Sequence, residues 1–240
     1  MPAQTIKLTR SEEVAEGTMA FHLTRPSAFE FRAGQSVDIT LIDPPETDAE
    51  GNTQTFSIAS PPFEDHLTIA TRMRNSAFKR VLEKAPQGLE VSVEGPSGSF
   101  TLHKNATKPA VFLAGGIGIT PFLSMVRQAG KNKPQQLLYL FYSNQRPEDS
   151  PFLDLLEGLP TENPNFHFIA TMTGMAKSRR KWCGQIGVID REMLLRHVSE
   201  LVGPIYYIAG PPAMVSAMRQ MLAAVGADED DIRTEEFLGY

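Results

Sequence analysis

The sequence predicts an antiparallel β-barrel over residues 1–105, followed by a doubly wound parallel-sheet α/β domain over residues 106–240. Three observations predict this fold class. Up to residue 105, short runs alternate apolar and polar residues, which is typical of strands buried on one face. Beyond it, continuous apolar runs alternate with amphipathic stretches, which is typical of parallel strands and helices. A glycine-rich segment at 115–118 directly follows the first of these apolar runs.

The barrel strands are predicted from period-two alternation, since each run is bounded by Gly, Pro, Asp or Asn. One helix is expected to begin after Ser76, whose hydroxyl can cap it, because Phe78 and Leu82 then share one face. The acidic, proline-bearing stretch 43–50 is expected to be a solvated surface loop. The predicted strands lie at 19–23, 37–41, 67–69 and 89–93.

The α/β elements are predicted from apolar runs and from helix start signals. Helices are expected to start at Thr120 and Ser150, because each hydroxyl is followed by a proline. Gly158 is expected to end the second of these helices, Asp190 to cap a third, and Pro211 to open a fourth. The predicted strands lie at 110–114, 137–142, 166–170 and 205–209.

Composition excludes several classes of protein. The chain has 23 Lys+Arg against 28 Asp+Glu, a formal net charge of −5, and no basic run that would neutralise nucleic-acid phosphates. The single cysteine, Cys183, excludes an intrachain disulfide, a thiolate zinc site and a four-thiolate iron–sulfur cluster. The five histidines are scattered without metal-binding spacing, so no metal site is expected.

The hydropathy pattern bears on the compartment. No window approaches the ~18 consecutive apolar residues of a membrane-spanning helix. The first ten residues, MPAQTIKLTR, lack the apolar segment that a secretory signal requires. We therefore expect a cytoplasmic protein without a membrane span.

The segment 111–122 carries the strongest chemical signal. A buried strand is expected to lead into three glycines within four residues and then into a helix start. Glycines let a phosphate approach backbone N–H groups, and a helix N-terminus favours negative charge. The segment therefore predicts a dinucleotide-diphosphate site at the carboxyl edge of the sheet, although a tight turn that needs positive φ would use the same residues. The spacing, GGxGxTP, does not by itself name the cofactor.

Three other segments give weaker signals. Residues 54–62 place an aromatic ring and a hydroxyl at the end of a barrel strand. Arg72 and Arg74 precede the helix start at Ser76, which makes either an anion site or a solvated edge. Residues 207–214 form another strand–turn–helix junction at the same sheet edge.

Together these segments resemble the ferredoxin–NADP reductase family over essentially the whole chain. The resemblance depends on the order of the motifs FSIAS, GPSGSF, GGIGITPF, YSNQRPED, IAGPPAM and EEF. It implies a stand-alone, FAD-containing oxidoreductase that takes hydride from NADPH or NADH. The electrons would pass to a separate acceptor, either a small molecule or a redox protein.

The resemblance also implies roles for individual residues. Ser57 and Glu236 would be catalytic, with Ser57 donating a hydrogen bond toward the flavin N5. The residues implied to bind FAD are Gln54, Thr55, Phe56, Ser57, Arg72, Arg74, Ser76 and Phe237. The residues implied to bind the nicotinamide dinucleotide are Gly115, Gly116, Gly118, Thr120, Pro121, Ser143, Asn144, Arg146, Gly210, Pro211 and Met214.

Two positions depart from the family pattern. Gln54 stands where the family usually has the Arg that neutralises the FAD diphosphate, so FAD affinity is expected to be lowered, with Arg72 or Arg74 compensating. Ala209 stands where many members have a cysteine that contacts the nicotinamide. Cys183 could substitute only if its loop reaches the site. These departures leave open a rival, a non-catalytic flavin or nucleotide sensor on the same fold.

Dinucleotide preference is open at this stage. A 2′-phosphate needs a cation near the end of the second parallel strand, whereas a free ribose needs a carboxylate. Arg146 and a basic loop at 177–180 favour NADPH, but Glu148 and Asp149 lie beside them. The acceptor has alternatives too, since the chain could be the electron-transfer subunit of a larger partner.

Overall fold

A computed structural model describes residues 3–132 and 135–237, which form two six-stranded sheets. The first sheet is antiparallel and is built only from strands before residue 98, in the order β4-β3-β6-β1-β2-β5. It closes on itself, because the Ala59 N–H, just past β4, donates a 2.8 Å hydrogen bond to the Thr68 carbonyl of β5. Its strands are β1 Gln4–Ala15, β2 Thr18–Thr24, β3 Ser36–Leu41, β4 Thr53–Ser57, β5 His66–Arg72 and β6 Glu90–Ser97.

The alternating residues of these strands fill the barrel interior. Val37 and Ile39 of β3 and Val91 and Val93 of β6 point inward and are buried, whereas Asp38 between the first two is not. This is the period-two burial that predicted a barrel. Helix α1, Ala77–Glu83, closes one end of the barrel, and its Phe78 packs into the same core.

The second sheet is parallel, with the order β10-β9-β8-β7-β11-β12. Strands β8, β9 and β10 follow one another on one side of β7, and β11 and β12 then lie on its other side. The switch point therefore lies between β7 and β11, where ligands of such sheets bind at the carboxyl edge. The strands are β7 Ala110–Gly115, β8 Leu138–Asn144, β9 Phe166–Met172, β10 Gln185–Ile186, β11 Ile205–Gly210 and β12 Ile232–Glu236.

Helices cover both faces of the parallel sheet. One face carries Phe122 of α2 and Leu156 of α3, and the other carries Leu194 of α4 and Met218 of α5. Apolar surface on both faces explains why the strands read as continuous apolar runs. The helices are α2 Ile119–Asn132, α3 Leu153–Gly158, α4 Arg191–His197 and α5 Pro212–Ala224. None of the helices in the described part of the chain combines the length and apolarity that crossing a bilayer requires.

The helix caps agree with the sequence at Ser76 and Asp190 and disagree at Ser150 and at Thr120, which lies inside α2. The side chains of Ser76 and Asp190 accept hydrogen bonds from the third residue of α1 and α4, as predicted. Ser150 does not cap α3, because its hydroxyl donates to the Arg146 carbonyl instead. The helix starts later, after Phe152, which adopts φ +60°.

An aromatic cluster joins the two sheets. Phe100, from the segment after β6, lies 5.6 Å from Phe122 and 5.7 Å from Tyr207 between ring centroids. Tyr207 also accepts a 2.8 Å hydrogen bond from the His103 N–H, and Arg233 donates to its hydroxyl at 3.1 Å. Phe100 and Ala59 of the barrel half are therefore packed into a core cluster of the α/β unit, while the barrel interior forms a cluster of its own.

Candidate functional site

Two cavities lie beside the paired carboxyl ends of β11 and β12. The first, here the barrel cavity, has a volume of about 580 Å³. The second, the sheet-edge cavity, has a volume of about 400 Å³. The Phe237 N–H, beside the first cavity, donates a 3.0 Å hydrogen bond to the Gly210 carbonyl, next to Pro211 of the second. The barrel cavity is lined by Ser36, Glu50, Gln54, Thr55, Ser57, Arg74, Asn75, Ser76, Lys79, Glu235, Glu236 and Phe237.

Ser57 ends strand β4 at the wall of the barrel cavity. The residue is only 5% exposed, and its hydroxyl forms no hydrogen bond with another described residue. A buried hydroxyl normally finds a partner, because an unpaired one loses its hydration without compensation. The Ser57 hydroxyl is thus available to a ligand in this cavity.

The cationic side chains of the barrel cavity are Arg74 and Lys79. Burial, and next the nearby charge of Arg74, lower the pKa of Lys79. Gln54 carries no charge, and its amide lies 3.4 Å from a Glu50 carboxylate oxygen. The cavity therefore has the cations to hold an anion even though Gln54 is neutral.

The loop before β4 reaches the start of α1. An Asp48 carboxylate oxygen accepts a 2.5 Å hydrogen bond from the Ala77 N–H, and Glu46 is paired with Arg80 at 2.6 Å. The stretch 43–50 is thus more than the solvated loop expected from its composition. Asp48 supplies negative charge to the α1 turn, beside Ser76, where the sequence placed an anion.

The C-terminal strand brings two neighbouring glutamates to the barrel cavity, and they differ in burial. The predicted residue, Glu236, lines the barrel cavity but is exposed. Its neighbour Glu235 is partly buried, and one of its carboxylate oxygens has no hydrogen-bond partner. Burial raises the pKa of Glu235 to about 7. Nothing in the motif EEF distinguishes the two residues, because the facing of β12 depends on its register with β11.

Two other predicted residues do not line the barrel cavity. Phe56 points into the barrel core, where its ring lies 5.8 Å from that of Phe78. Arg72 lines the sheet-edge cavity, while Arg74, two residues on, lines the barrel cavity. Of the two arginines expected to compensate for Gln54, the structure brings only Arg74 to it.

The sheet-edge cavity lies at the carboxyl ends of four parallel strands. It is lined by Arg72, Gly115, Gly116, Ser143, Asn144, Gln145, Thr173, Val188, Ile189, Pro211, Met214, Ala217 and Met218. This is the edge where the switch-point rule places a ligand. The sequence named seven of these residues as dinucleotide-binding or cationic, and it missed Gln145 and Thr173, which follow β8 and β9.

The floor of this cavity is the glycine turn. Gly116 adopts φ +51°, and residues 116–118 form one turn of 3₁₀ helix before α2. A Cβ on Gly115 would overlap the Met214 thioether and lie 3.0 Å from the Pro211 ring. The turn therefore needs glycine both for its conformation and for its close approach to the β11–α5 junction.

Asn144 has a buried amide that no described residue pairs with. The residue is 6% exposed, and neither its amide nitrogen nor its amide oxygen has a hydrogen-bond partner. It ends β8 and lines the sheet-edge cavity. Two orphaned polar atoms at a cavity wall fit a polar ligand, which would supply the missing partners.

Three predicted ligand residues have structural roles behind the turn. Gly118 packs against the backbone of Ala209 and Gly210. The Thr120 hydroxyl donates a 3.1 Å hydrogen bond to the Ile117 carbonyl, and Pro121 is buried at the start of α2. None of the three lines the sheet-edge cavity.

Arg146 is likewise absent from the cavity wall. Its guanidinium donates to Asp149 at 2.6 and 2.8 Å and to Glu16, in the β1–β2 turn, at 2.8 Å.

Cys183 is exposed and lies beside Trp182 in a separate surface depression. It does not line the sheet-edge cavity, so it does not replace the thiol missing at Ala209, which is fully buried.

Comparisons with known proteins agree with this geometry. Residues 112–220 match the family model of the oxidoreductase NAD-binding domain. The reductase component of propane 2-monooxygenase from Rhodococcus jostii is 26% identical over 99% of this chain and 65% of its own length. The glycine betaine monooxygenase reductase subunit of Chromohalobacter salexigens is 26% identical over 92% of this chain and 60% of its length. The chain thus spans somewhat less than two thirds of these relatives.

Solved structures show the same fold. A ferredoxin NADP+ reductase from Neisseria gonorrhoeae, with bound FAD and NADP, superposes with a TM-score of 0.80 at 22% identity. That match covers 98% of this chain and 99% of the other. The FAD/NAD-binding domain of a Vibrio cholerae nitric oxide dioxygenase gives a TM-score of 0.84 at 16% identity, over 98% of both chains.

The chain thus has the fold of ferredoxin–NADP reductase-like proteins. It joins an NAD-binding domain of oxidoreductases to an antiparallel barrel, which confirms the resemblance and the fold class that the sequence predicted.

Proposed function

We propose that this protein is an FAD-dependent NAD(P)H oxidoreductase whose barrel cavity holds FAD and whose sheet-edge cavity holds the dinucleotide. The observation that carries the proposal is the pairing of the two cavities at the β11–β12 edge, each walled by unpartnered buried polar groups. When bound, FAD supplies the redox chemistry: it takes hydride from NAD(P)H and releases two electrons to an acceptor.

The chain's own residues hold the groups and shape the site. Ser57 offers a hydroxyl donor to the flavin ring, and Arg74 and Lys79 offer positive charge to the diphosphate, in place of the Arg absent at position 54. Glu235 holds a proton at the cavity wall near neutral pH, because burial raises its pKa to about 7. The glycine turn and Asn144 position the dinucleotide.

The acceptor is a separate molecule. The names of the relatives, reductase components of monooxygenases, favour a partner oxygenase. With one cysteine in 240 residues, the chain offers no four-thiolate cluster of its own for an onward step. A small-molecule acceptor at the flavin remains compatible with the two-cavity arrangement.

Flavin reduction tests the proposed function. The purified protein, titrated with FAD, is expected to bind it and to lose the flavin absorbance near ~450 nm anaerobically on addition of NADH or NADPH. Ser57→Ala is expected to bind FAD but to slow this bleaching about 10²-fold, the cost of removing one placed donor.

Thr40→Ala is the matched control for Ser57→Ala. Its hydroxyl pairs with Thr53 on the exposed face of the same sheet, so reduction is expected at the wild-type rate. A protein that takes up no FAD contradicts the proposed function. A flavin-loaded protein that neither donor bleaches supports the rival sensor.

Asp48→Asn is expected to tighten FAD binding. The Asp48 carboxylate holds the Ala77 N–H and places like charge where a diphosphate would bind. Neutralising it should lower the Kd for FAD about two- to fivefold, the range of an exposed charge contact. Flavin fluorescence titration measures the change. Asp43→Asn in the same loop is the control. Weaker FAD binding by Asp48→Asn would contradict the expected repulsion between the Asp48 carboxylate and the diphosphate.

A further inference from the structure

The wall of the sheet-edge cavity at the ends of β8 and β9 is uncharged. It consists of Ser143, Asn144, Gln145 and Thr173. In doubly wound folds the second strand from the glycine turn reaches the adenosine ribose, and a cation there accommodates a 2′-phosphate. Among the described residues that line this cavity, Arg72 alone carries positive charge.

Arg72 reaches the sheet-edge cavity from the side of the glycine turn. It ends β5, which packs on the glycine turn through Ala70 and Ile117. The glycine turn is where the diphosphate binds in such folds. Since NADH and NADPH share that diphosphate, the charge of Arg72 favours neither.

The other nearby arginines are held by carboxylates. Arg146 is bound by Asp149 and by Glu16 across the domain junction. Arg179 is paired with the same Glu16, and Arg180 lies 3.1 Å from Asp154. Charges already neutralised in this way attract an added phosphate weakly.

Lys177 is the remaining cation of this loop. It is exposed, ends a short 3₁₀ turn, and does not line the sheet-edge cavity. A solvated lysine outside the cavity adds little to the affinity for a phosphate group, because water and salt screen its charge.

On these observations, and resting on the proposed function, we propose that this protein uses NADH in preference to NADPH. A 2′-phosphate carries roughly −1.5 to −2 charges at neutral pH, and in this cavity it would meet neutral side chains without a cation to replace its hydration. The unpaired amide of Asn144 can hydrogen-bond an uncharged ribose hydroxyl or base edge. The structure thus reverses the preference for NADPH that the basic residues suggested.

The test is the affinity for NAD+ and NADP+ by isothermal titration calorimetry, beside kcat/KM for NADH and NADPH in the FAD-loaded protein. We expect NAD+ to bind at least about tenfold more tightly, with a similar ratio in kcat/KM. Equal or tighter binding of NADP+ overturns the NADH preference alone. If neither dinucleotide binds, both the NADH preference and the proposed function are overturned. If NAD+ binds more tightly but the flavin is not reduced, only the proposed function is overturned.

Gln145→Arg places a cation directly at the neutral wall. Gln145 is exposed and lines the cavity, so the change leaves the core intact. The ratio of NADP+ affinity to NAD+ affinity is expected to rise about tenfold. Lys177→Gln is the matched control, and it should change neither affinity. A fall in NADP+ affinity on Lys177→Gln would show that this lysine already serves the phosphate, which overturns the proposal.

Discussion

Gly118→Ala is expected to destabilise the protein by about 3 kcal/mol, the upper end of the usual range for overpacking. A Cβ on Gly118 would overlap the Ala209 backbone and lie 2.7 Å from the Gly210 nitrogen. These atoms belong to the central strand β11, so neither side can move away without disturbing the β7–β11 pairing. Thermal unfolding measures the effect, and a fall in Tm of about 10 °C is expected for a chain of this size.

Gly130→Ala is the matched control for this change. Gly130 lies in α2, and a Cβ there meets nothing within 4 Å. Alanine is the better helix former by about 1 kcal/mol, so this variant should be slightly more stable than wild type. If Gly118→Ala unfolds at the wild-type temperature, the glycine is not required for packing.

Glu235→Gln is expected to stabilise the flavin-free protein at alkaline pH and to leave it unchanged at acid pH. Burial raises the pKa of Glu235 from 4.5 to about 7. Below pH 4.5 the carboxyl is protonated in both the folded and the unfolded chain, so it makes no difference to stability. Between these values only the unfolded chain releases the proton, and stability falls as the pH rises.

The size of the effect follows from the pKa shift. Above pH 7 the loss in the free energy of unfolding of the wild-type protein levels off at about 3 kcal/mol, since each pKa unit corresponds to ~1.4 kcal/mol. Glutamine cannot ionise, so the variant's gain over wild type should grow by that amount between pH 4.5 and pH 8. Urea unfolding at several pH values measures it. Glu236→Gln, at the exposed neighbour, is the control, and its free energy of unfolding should vary with pH in parallel with that of the wild type. A parallel variation for Glu235→Gln would contradict the effect of burial on the Glu235 carboxyl.

Most of the fold could be predicted because its periodicities are strong. Alternation in β3 and β6 identified the barrel, and the continuous apolar runs of β7 and β11 identified a sheet covered on both faces. Edge strand β10 was missed, since two residues are too few to show an apolar pattern, and the charged sequence of β12 indicated a strand only through the family resemblance. The start of α3 was wrong because Phe152 adopts φ +60°, which interrupts the helix that was expected to begin at Ser150.

The candidate site could be predicted only as far as strand ends reveal it. The rule that ligands bind at the carboxyl edge pointed to Ser143 and Asn144, and the structure places both at one cavity. It could not show that Arg146 turns toward Glu16, because that carboxylate is distant in sequence and meets Arg146 only after the two units pack. Asp48 at the α1 turn depends in the same way on tertiary contact.

The aromatic cluster around Phe100 has a thermodynamic consequence. Because Phe100 belongs to the barrel segment yet is buried among Phe122 and Tyr207, unfolding of either half removes apolar contacts from the cluster that joins them. Unfolding is therefore cooperative across the junction, and destabilisation of the barrel also lowers the population of intact dinucleotide sites. The two binding functions are lost together on heating, in a single transition.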